Sequence, residues 1–341
     1  RDTDGIWYPK HLSLEQCSSE VTARYKATLL KGNSLTDLTG GFGIDCAFLA
    51  ARFKSATYVE RQEELCEIAA HNFPVLNLNH INIRNEDGVT YLQAMSPVDC
   101  LFLDPARRNE HGGKTVAISD CEPNVAELEE LLLQKANRVM IKLSPMLDLS
   151  LALKELKQTQ EVHILSVNNE CKELLILLGQ TSPAEISIHC VNLFTKGTQK
   201  EQHFVFTREQ EQRSQCTYTD SLGNYLYEPN ASLLKAGAFR SIAAAYPVRK
   251  LHPNSHLYIS DSFIENFPGR IFRIVNQCSF NKKEVKENLA DLKKANVTVR
   301  NFPATVAELR KRIHLAEGGD TYLFASTLNN GQKVLIRCEK V

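Results

Sequence analysis

Leu35-Thr-Asp-Leu-Thr-Gly-Gly-Phe-Gly-Ile-Asp45 is the stretch whose reading decides the fold. An apolar strand is expected to end at Asp37, and a turn carrying Gly40, Gly41 and Gly43 to open a helix over 44–52. Glycines let the backbone turn tightly and let a ligand approach with no Cβ in the way. The start of the helix then adds unpaired amide donors. An acid at the strand tip suits a positively charged or hydroxyl-rich ligand better than a phosphate. The pattern therefore points to a nucleoside cofactor without a pyrophosphate.

Working outward, residues 56–60 (Ala-Thr-Tyr-Val-Glu) read as a second strand ending in an acid, Glu60. A carboxylate placed there can accept both hydroxyls of a ribose. A third strand is expected over 80–84, with Asp87-Gly88 just beyond it. A fourth, over 98–103, runs into Asp104-Pro105-Ala106-Arg107-Arg108. Four strand tips thus present Asp37, Glu60, Asp87 and Asp104 in chain order. These tips fall at the carboxyl edge of a parallel sheet, where open α/β sheets bind ligands.

This ordered set, over about residues 13–180, resembles the class I S-adenosylmethionine-dependent methyltransferases. The resemblance implies S-adenosylmethionine as cofactor. It places Asp37 at the methionine end and wraps the backbone of Thr39, Gly40, Gly41 and Gly43 around the cofactor. Glu60 would hold the ribose, Asp87 and Gly88 would lie by the adenine amine, and Asp104-Pro105 would border the acceptor. The usual run is acid-x-Gly-x-Gly-x-Gly, and its first glycine is Thr39 here. That departure is shared with RNA and DNA methyltransferases. A nicotinamide fingerprint, Gly-x-Gly-x-x-Gly, would need glycine where this chain has Cys46, and Asp37 would repel a pyrophosphate.

At 341 residues the chain has room for two or three domains. It begins at Arg1 rather than methionine, so an N-terminal part is expected to precede it. No apolar run reaches membrane-spanning length and no signal peptide is visible, so no membrane contact is expected. Ten cysteines are scattered without a Cys-x-x-Cys, the pattern of reduced core thiols in a cytoplasmic protein, and no metal site is expected. Forty Lys and Arg balance forty Asp and Glu, so no global field draws the protein to nucleic acid. Residues 271–341 nevertheless hold thirteen basic against seven acidic residues. This excess reads either as a solvated face or as an RNA contact surface.

The expected architecture is α/β: a doubly wound, mostly parallel seven-stranded sheet with a terminal antiparallel hairpin. A helix over 12–30 is expected to precede it, capped by Ser13 with Gln16. In methyltransferases such a helix often closes over the methionine moiety, so Gln16, Ser18, Ser19 and Thr22 are further candidates. Helices over 62–73, 122–134 and 149–156 and a fifth strand over 138–143 continue the alternation. Strands over 161–167 and 173–178 are joined by five residues, too few for a crossover helix, so they must form a hairpin. A second hairpin is expected over 185–194 and 202–208. Four parts follow: an N-terminal helical segment over 1–30, a cofactor-binding domain over 31–215, a small α/β insert or linker over 216–269, and an α+β domain over 270–341. The insert should hold a short strand pair around Gly223-Asn224 and one helix over 231–245. The last part has the order β-α-β-α-β-β, with Thr305 and Glu308 opening a helix that carries Arg310, Lys311 and Arg312. It resembles the THUMP-like domain that follows some bacterial methyltransferase domains, which implies RNA binding through those three residues.

Methyl transfer from a sulfonium is an in-line displacement, so the enzyme mainly aims a nucleophile and excludes water. Enzymes acting on exocyclic amines usually carry Asn/Asp-Pro-Pro-aromatic after the fourth strand, where the ring stacks on a flipped base. Asp104-Pro105-Ala106-Arg107 keeps the acceptors but has no aromatic. RNA uracil-5-methyltransferases need a cysteine at the end of the fifth strand, and Leu143 stands there, so that covalent route is ruled out. Cys121 has no neighbours marking a lowered thiol pKa. Transfer to a nitrogen or oxygen of a nucleotide in tRNA or rRNA is therefore expected. Asp104 would act as proton or hydrogen-bond acceptor. Arg107, with Arg108, would bind a phosphate or stack on the base, or else brace the loop. The competing readings are a methyltransferase for a protein or small molecule, and a non-enzymatic RNA-binding protein that keeps the fold.

Overall fold

The computed structural model describes residues 3–9, 17–107, 117–181 and 183–341, and of Arg107 the backbone alone. It divides into two units, Arg1–Glu201 and Gln202–Val341. In the first, helix α1 (Glu20–Leu29) leads into strand β1 (Ser34–Asp37), helix α2 (Ile44–Ala50) and strand β2 (Ser55–Glu60). There follow α3 (Glu63–Val75), β3 (Ile81–Asn85), α4 (Gly88–Ala94) and β4 (Val98–Leu103). A two-residue pair, β5 (Ala106–Arg107) with β6 (Cys121–Glu122), brackets the loop beyond β4. Then come α5 (Val125–Lys135), β7 (Ala136–Leu143), α6 (Leu149–Glu155), β8 (Thr159–Val167), β9 (Glu170–Gly179) and β10 (Ser187–Leu193).

Strands of this unit lie in the order β10-β8-β9-β7-β4-β1-β2-β3. The run β7-β4-β1-β2-β3 is parallel, and β9 is inserted antiparallel between β7 and β8. The expected terminal hairpin is thus β8–β9, turned by Asn168 and Asn169, both with positive φ. β10 adds one strand beyond the expected seven, because it pairs in parallel with β8 along its whole length. Leu35, Leu49, Phe102, Met140, Leu175 and Leu177 form part of one apolar core beside the sheet. The chain reverses direction across the sheet between β1 and β4, the place where such sheets open a crevice at their carboxyl ends.

Helix α1 starts at Glu20, with 17–19 outside it, and the earlier part of the expected helix, 12–16, lies outside the described residues. Ser19 caps it by accepting from the Thr22 N–H, while Ser18 stays outside the helix with its hydroxyl turned into a buried ion cluster. Ser13 and Gln16 lie outside the described residues, as do Arg108 and the Gly112-Gly113 stretch.

The second unit holds most of β11 (Glu201–Thr207), then α7 (Arg208–Arg213), β12 (Tyr225–Pro229), α8 (Ala231–Ala236) and α9 (Phe239–Ala245). The single helix expected over 231–245 is broken in two because Gly237 takes a left-handed φ of 75°. Next come β13 (Arg249–Lys250), β14 (Tyr258–Ser260), β15 (Gly269–Ser279), α10 (Lys282–Leu289), β16 (Asn296–Val299), α11 (Val306–Ile313), β17 (Thr321–Thr327) and β18 (Lys333–Lys340). The β-α-β-α-β-β order of the tail is present. Its strands share one sheet with the preceding segment, in the order β13-β14-β12-β15-β18-β17-β16. β12 pairs with β14 and β15, in place of the strand pair expected around Gly223-Asn224. Glu228, 2% exposed at the end of β12, ties this sheet together by receiving both Arg270 and Arg300.

Candidate functional site

The residues between β1 and α2 form a tight cradle. Gly40 donates to the Val59 carbonyl and Gly43 to the Gly40 carbonyl, each at 2.9 Å. A Cβ on Gly40 would lie 2.2 Å from the buried Tyr58 ring, so only glycine passes there. Gly41 and Gly43 take positive φ of 54° and 84°, which glycine adopts without steric cost. Gly41 is open on its free side, leaving backbone exposed toward the adjacent cleft. Gly88, at the start of α4, meets the Leu38 carbonyl so closely that a Cβ would sit 2.2 Å from its oxygen.

The acids expected at the strand tips converge on this cradle. Glu60, 8% exposed, accepts from the Gly41 N–H at 2.9 Å and from the Gln62 N–H at 2.9 Å. Asp37, 1% exposed, accepts from the Thr39 N–H at 3.0 Å. Thr39 in turn accepts from the Asp104 N–H at 2.6 Å, so the hydroxyl joins the tips of β1 and β4. Asp87 is exposed and caps α4 by accepting from the Val89 and Thr90 N–H groups. A cleft of about 1760 Å³ runs along this edge, bordered by Thr39, Glu60, Asp87, Gly88, Asp104 and Pro105 among others. It exceeds the roughly 300–1,000 Å³ of a typical small-molecule pocket. Asp37, Gly40 and Gly43 line a smaller pocket of about 80 Å³ on which Thr39 and Asp104 also border. Arg107 is placed in β5 opposite Cys121, itself 2% exposed.

Beside Asp104 sits a cluster of which the sequence offers Ser18 and Lys142, the latter as a structural residue or one facing the acceptor, but not the arrangement. Lys142, at the end of β7, makes ion pairs with Asp104 at 2.6 Å and Asp45 at 3.1 Å, and donates to Ser18 at 3.1 Å. Lys26, fully buried in α1, pairs with Glu173 at 2.6 Å and Asp45 at 2.9 Å, and donates to Ser18 at 2.7 Å. The signals were an apolar strand ending in a lone lysine, Met140-Ile-Lys142, and an acid opening the apolar run of β9. Charged residues in such positions are buried only with partners.

The electrostatics follow from burial and pairing. Burial pushes the Asp37 carboxyl up to about 8 against the opposing pull of the Thr39 amide. Burial also raises Asp104, with Lys142 offsetting part of the effect. Desolvation acts on Asp45 too, but Lys26 and Lys142 outweigh it and hold that carboxyl at about 2. Lys142 loses hydration, yet Asp104 and Asp45 keep its ammonium well above the ordinary lysine range. Two ammoniums thus face the carboxyls of Asp45, Asp104 and Glu173, with Asp37 close by. The set is short of positive charge and matches a cationic ligand group.

Away from the cleft, Glu161, His163 and His189 bring their ligand-type atoms within 4.8 Å of one another, a spacing that could hold a metal ion. Arg138 pairs with Glu161 at 3.1 Å, Tyr25 bonds His163 at 2.9 Å, and the two imidazoles stack. In the second unit, Lys311 and Arg312 are exposed at the end of α11, with Arg312 over the Phe280 ring, whereas Arg310 is half-buried toward Glu317. No helix among the described residues is long and apolar enough to cross a membrane.

Family models match two stretches: residues 225–268 fit a ferredoxin-like domain and residues 269–340 a THUMP domain-like family. A solved structure from Porphyromonas gingivalis W83, described as a proposed methyltransferase, is 37% identical with a TM-score of 0.89. That match covers 98% of this chain and 84% of the other. A proposed class I S-adenosylmethionine-dependent methyltransferase from Listeria monocytogenes is 12% identical, with 54% and 68% covered and a TM-score of 0.40. A proposed methyltransferase from Streptococcus mutans, solved in complex with SAH, is 13% identical, with 47% and 96% covered and a TM-score of 0.34. These two likenesses are too partial to add to the first. No curated protein matches the chain.

Proposed function

The chain belongs to the class I S-adenosylmethionine-dependent methyltransferases that carry a C-terminal THUMP-like domain, and from that premise we propose that it methylates a nitrogen or oxygen of a nucleotide in structured RNA, either tRNA or rRNA. The observation that carries the cofactor assignment is the convergence of buried Asp37 and Glu60 on one glycine cradle. Glu60 holds the ribose, Thr39, Gly40, Gly41 and Gly43 wrap the cofactor, and Asp87 with Gly88 borders the adenine. The donor set fits the group: an excess of carboxylate meets a sulfonium and an ammonium, and the open side of Gly41 leaves room against the backbone. S-adenosylmethionine supplies a methyl carbon open to displacement in line with its sulfur. Asp104 and Pro105 border the acceptor, with Asp104 taking its proton or hydrogen bond, and Arg107 binds a phosphate or stacks on the base.

RNA as substrate is supported by the THUMP-like match over 269–340 and by the excess of basic residues there. Lys311 and Arg312 are the exposed members of the expected contact set. The test is transfer of tritiated methyl groups from S-adenosylmethionine to RNA from a strain lacking the gene. Label in RNA, with binding that weakens as salt rises, is the expected result. Transfer to protein or small molecules and none to RNA would give the reaction a different substrate.

A further inference from the structure

We propose that the methyl acceptor is a hydroxyl oxygen, in RNA the ribose 2′-hydroxyl, because Lys142 sets an ammonium against Asp104 in the cleft and Lys26 backs it within the same buried cluster. This inference rests on the RNA methyltransferase reading.

A nitrogen acceptor and a hydroxyl acceptor ask opposite things of a site. A base nitrogen gains positive charge as its bond to the methyl carbon forms, and an adjacent ammonium raises that barrier. A hydroxyl is a poor nucleophile until its proton leaves, and the oxyanion character that develops is stabilised by an adjacent ammonium. Lys142 supplies that ammonium. It borders both the large cleft and the small pocket beside Asp37, 2.6 Å from Asp104.

Asp104 has the means to take the proton, since its side chain borders the cleft and is 38% exposed. Lys142 is not the base, because its carboxylate neighbours hold it charged. The step balances as follows. The hydroxyl oxygen forms a bond to the methyl carbon as the carbon–sulfur bond breaks, and the sulfur keeps that electron pair and becomes a neutral thioether. The hydroxyl proton passes to Asp104, and Lys142 shifts a hydrogen bond from the neutralised Asp104 to the acceptor oxygen. Lys26 is a positioning residue. By engaging Glu173 and one oxygen of Asp45, it leaves Asp45 only its other oxygen for Lys142.

The test is to digest methylated RNA to nucleosides and locate the label by mass spectrometry, together with a substrate carrying 2′-deoxyribose at the modified position. The expected result is label on the sugar fragment, alkali resistance at that linkage and no label in the deoxy substrate. Label on a base overturns this inference and leaves the RNA methyltransferase reading standing, whereas absence of label from all RNA overturns both. Lys142→Met should lower turnover by about 10²–10³-fold, the scale of losing one oxyanion donor. Lys142→Arg should recover part of it. Both variants should bind S-adenosylhomocysteine within about threefold of the parent, about 0.7 kcal/mol by the tenfold-per-1.4 kcal/mol relation. Turnover by Lys142→Met within about threefold of the parent, at unchanged S-adenosylhomocysteine affinity, would overturn the proposal.

Discussion

The Thr39 hydroxyl accepts a 2.6 Å hydrogen bond from the backbone N–H of Asp104, and through it the tip of β1 holds the first residue after β4. The related methyltransferase pattern usually has glycine at this position, and the bond is a physical reason for threonine. Thr39→Ala should cost about 1 kcal/mol of stability, the net worth of one such bond. Turnover should fall more than cofactor affinity, because the bond positions Asp104. Thr39→Ser should restore both, as read by denaturation and by single-turnover rates. A Thr39→Gly variant with parental turnover would show that the bond does not position Asp104.

Asp37 makes stability depend on pH. Its carboxyl titrates near 4 when unfolded and at about 8 when folded, so the folded state holds the extra proton. The associated stability is fully present below about pH 4 and is lost as pH rises through about 8. The melting temperature of ligand-free protein should therefore fall over that window, and Asp37→Asn should flatten the curve. A cationic ligand favours the ionised carboxyl, so cofactor affinity should rise with pH toward about 8 and binding should release protons. Calorimetry in two buffers of different ionisation enthalpy measures this release, and Asp37→Asn should abolish it while weakening binding about tenfold or more.

Glycine substitutions should separate by what surrounds each Cα. Gly40→Ala drives a methyl into Tyr58, and Gly88→Ala drives one into the Leu38 carbonyl, each at 2.2 Å. Each should cost about 1–3 kcal/mol, the range for overpacking. Gly41→Ala meets no close atom and carries only the cost of a positive φ, about 1–2 kcal/mol. Its larger effect should be on cofactor affinity, because the added methyl stands where backbone borders the cleft. Chemical denaturation and calorimetry together resolve the two effects.

The buried ion cluster should behave as a unit. Lys26→Met strands Glu173 and half of Asp45 without a counter-charge and should destabilise by about 3–5 kcal/mol. Adding Glu173→Gln should return part of that loss, which a double-mutant cycle reads as coupling. Additive effects would mean that the two side chains do not share an interaction in solution.

Much of the fold was legible because its signals are local. Acidic tips at Asp37, Glu60, Asp87 and Asp104 close short apolar runs, and each run forms its strand or its adjoining turn within one or two residues of expectation. The hairpin β8–β9 followed from a link too short for a crossover. What stayed hidden depends on residues distant in sequence. Lys26, Asp45, Lys142 and Glu173 come from α1, α2, β7 and β9, and nothing local says that they meet. Ser18 is held outside α1 by that same distant cluster, which nothing in the local sequence signals, while Ser13 and Gln16 lie outside the described residues. The pairing of β12 with β15 is likewise non-local, so nothing local shows that the tail shares a sheet with residues 225–229.

The most direct measurement is a crystal structure of the protein with S-adenosylhomocysteine, paired with its binding isotherm. The account predicts saturable binding, the ribose hydroxyls on Glu60, and the homocysteine portion beside Asp37 with its sulfur turned toward Asp104. No saturable binding, or a ligand seated away from the carboxyl ends of β1 and β2, would contradict it.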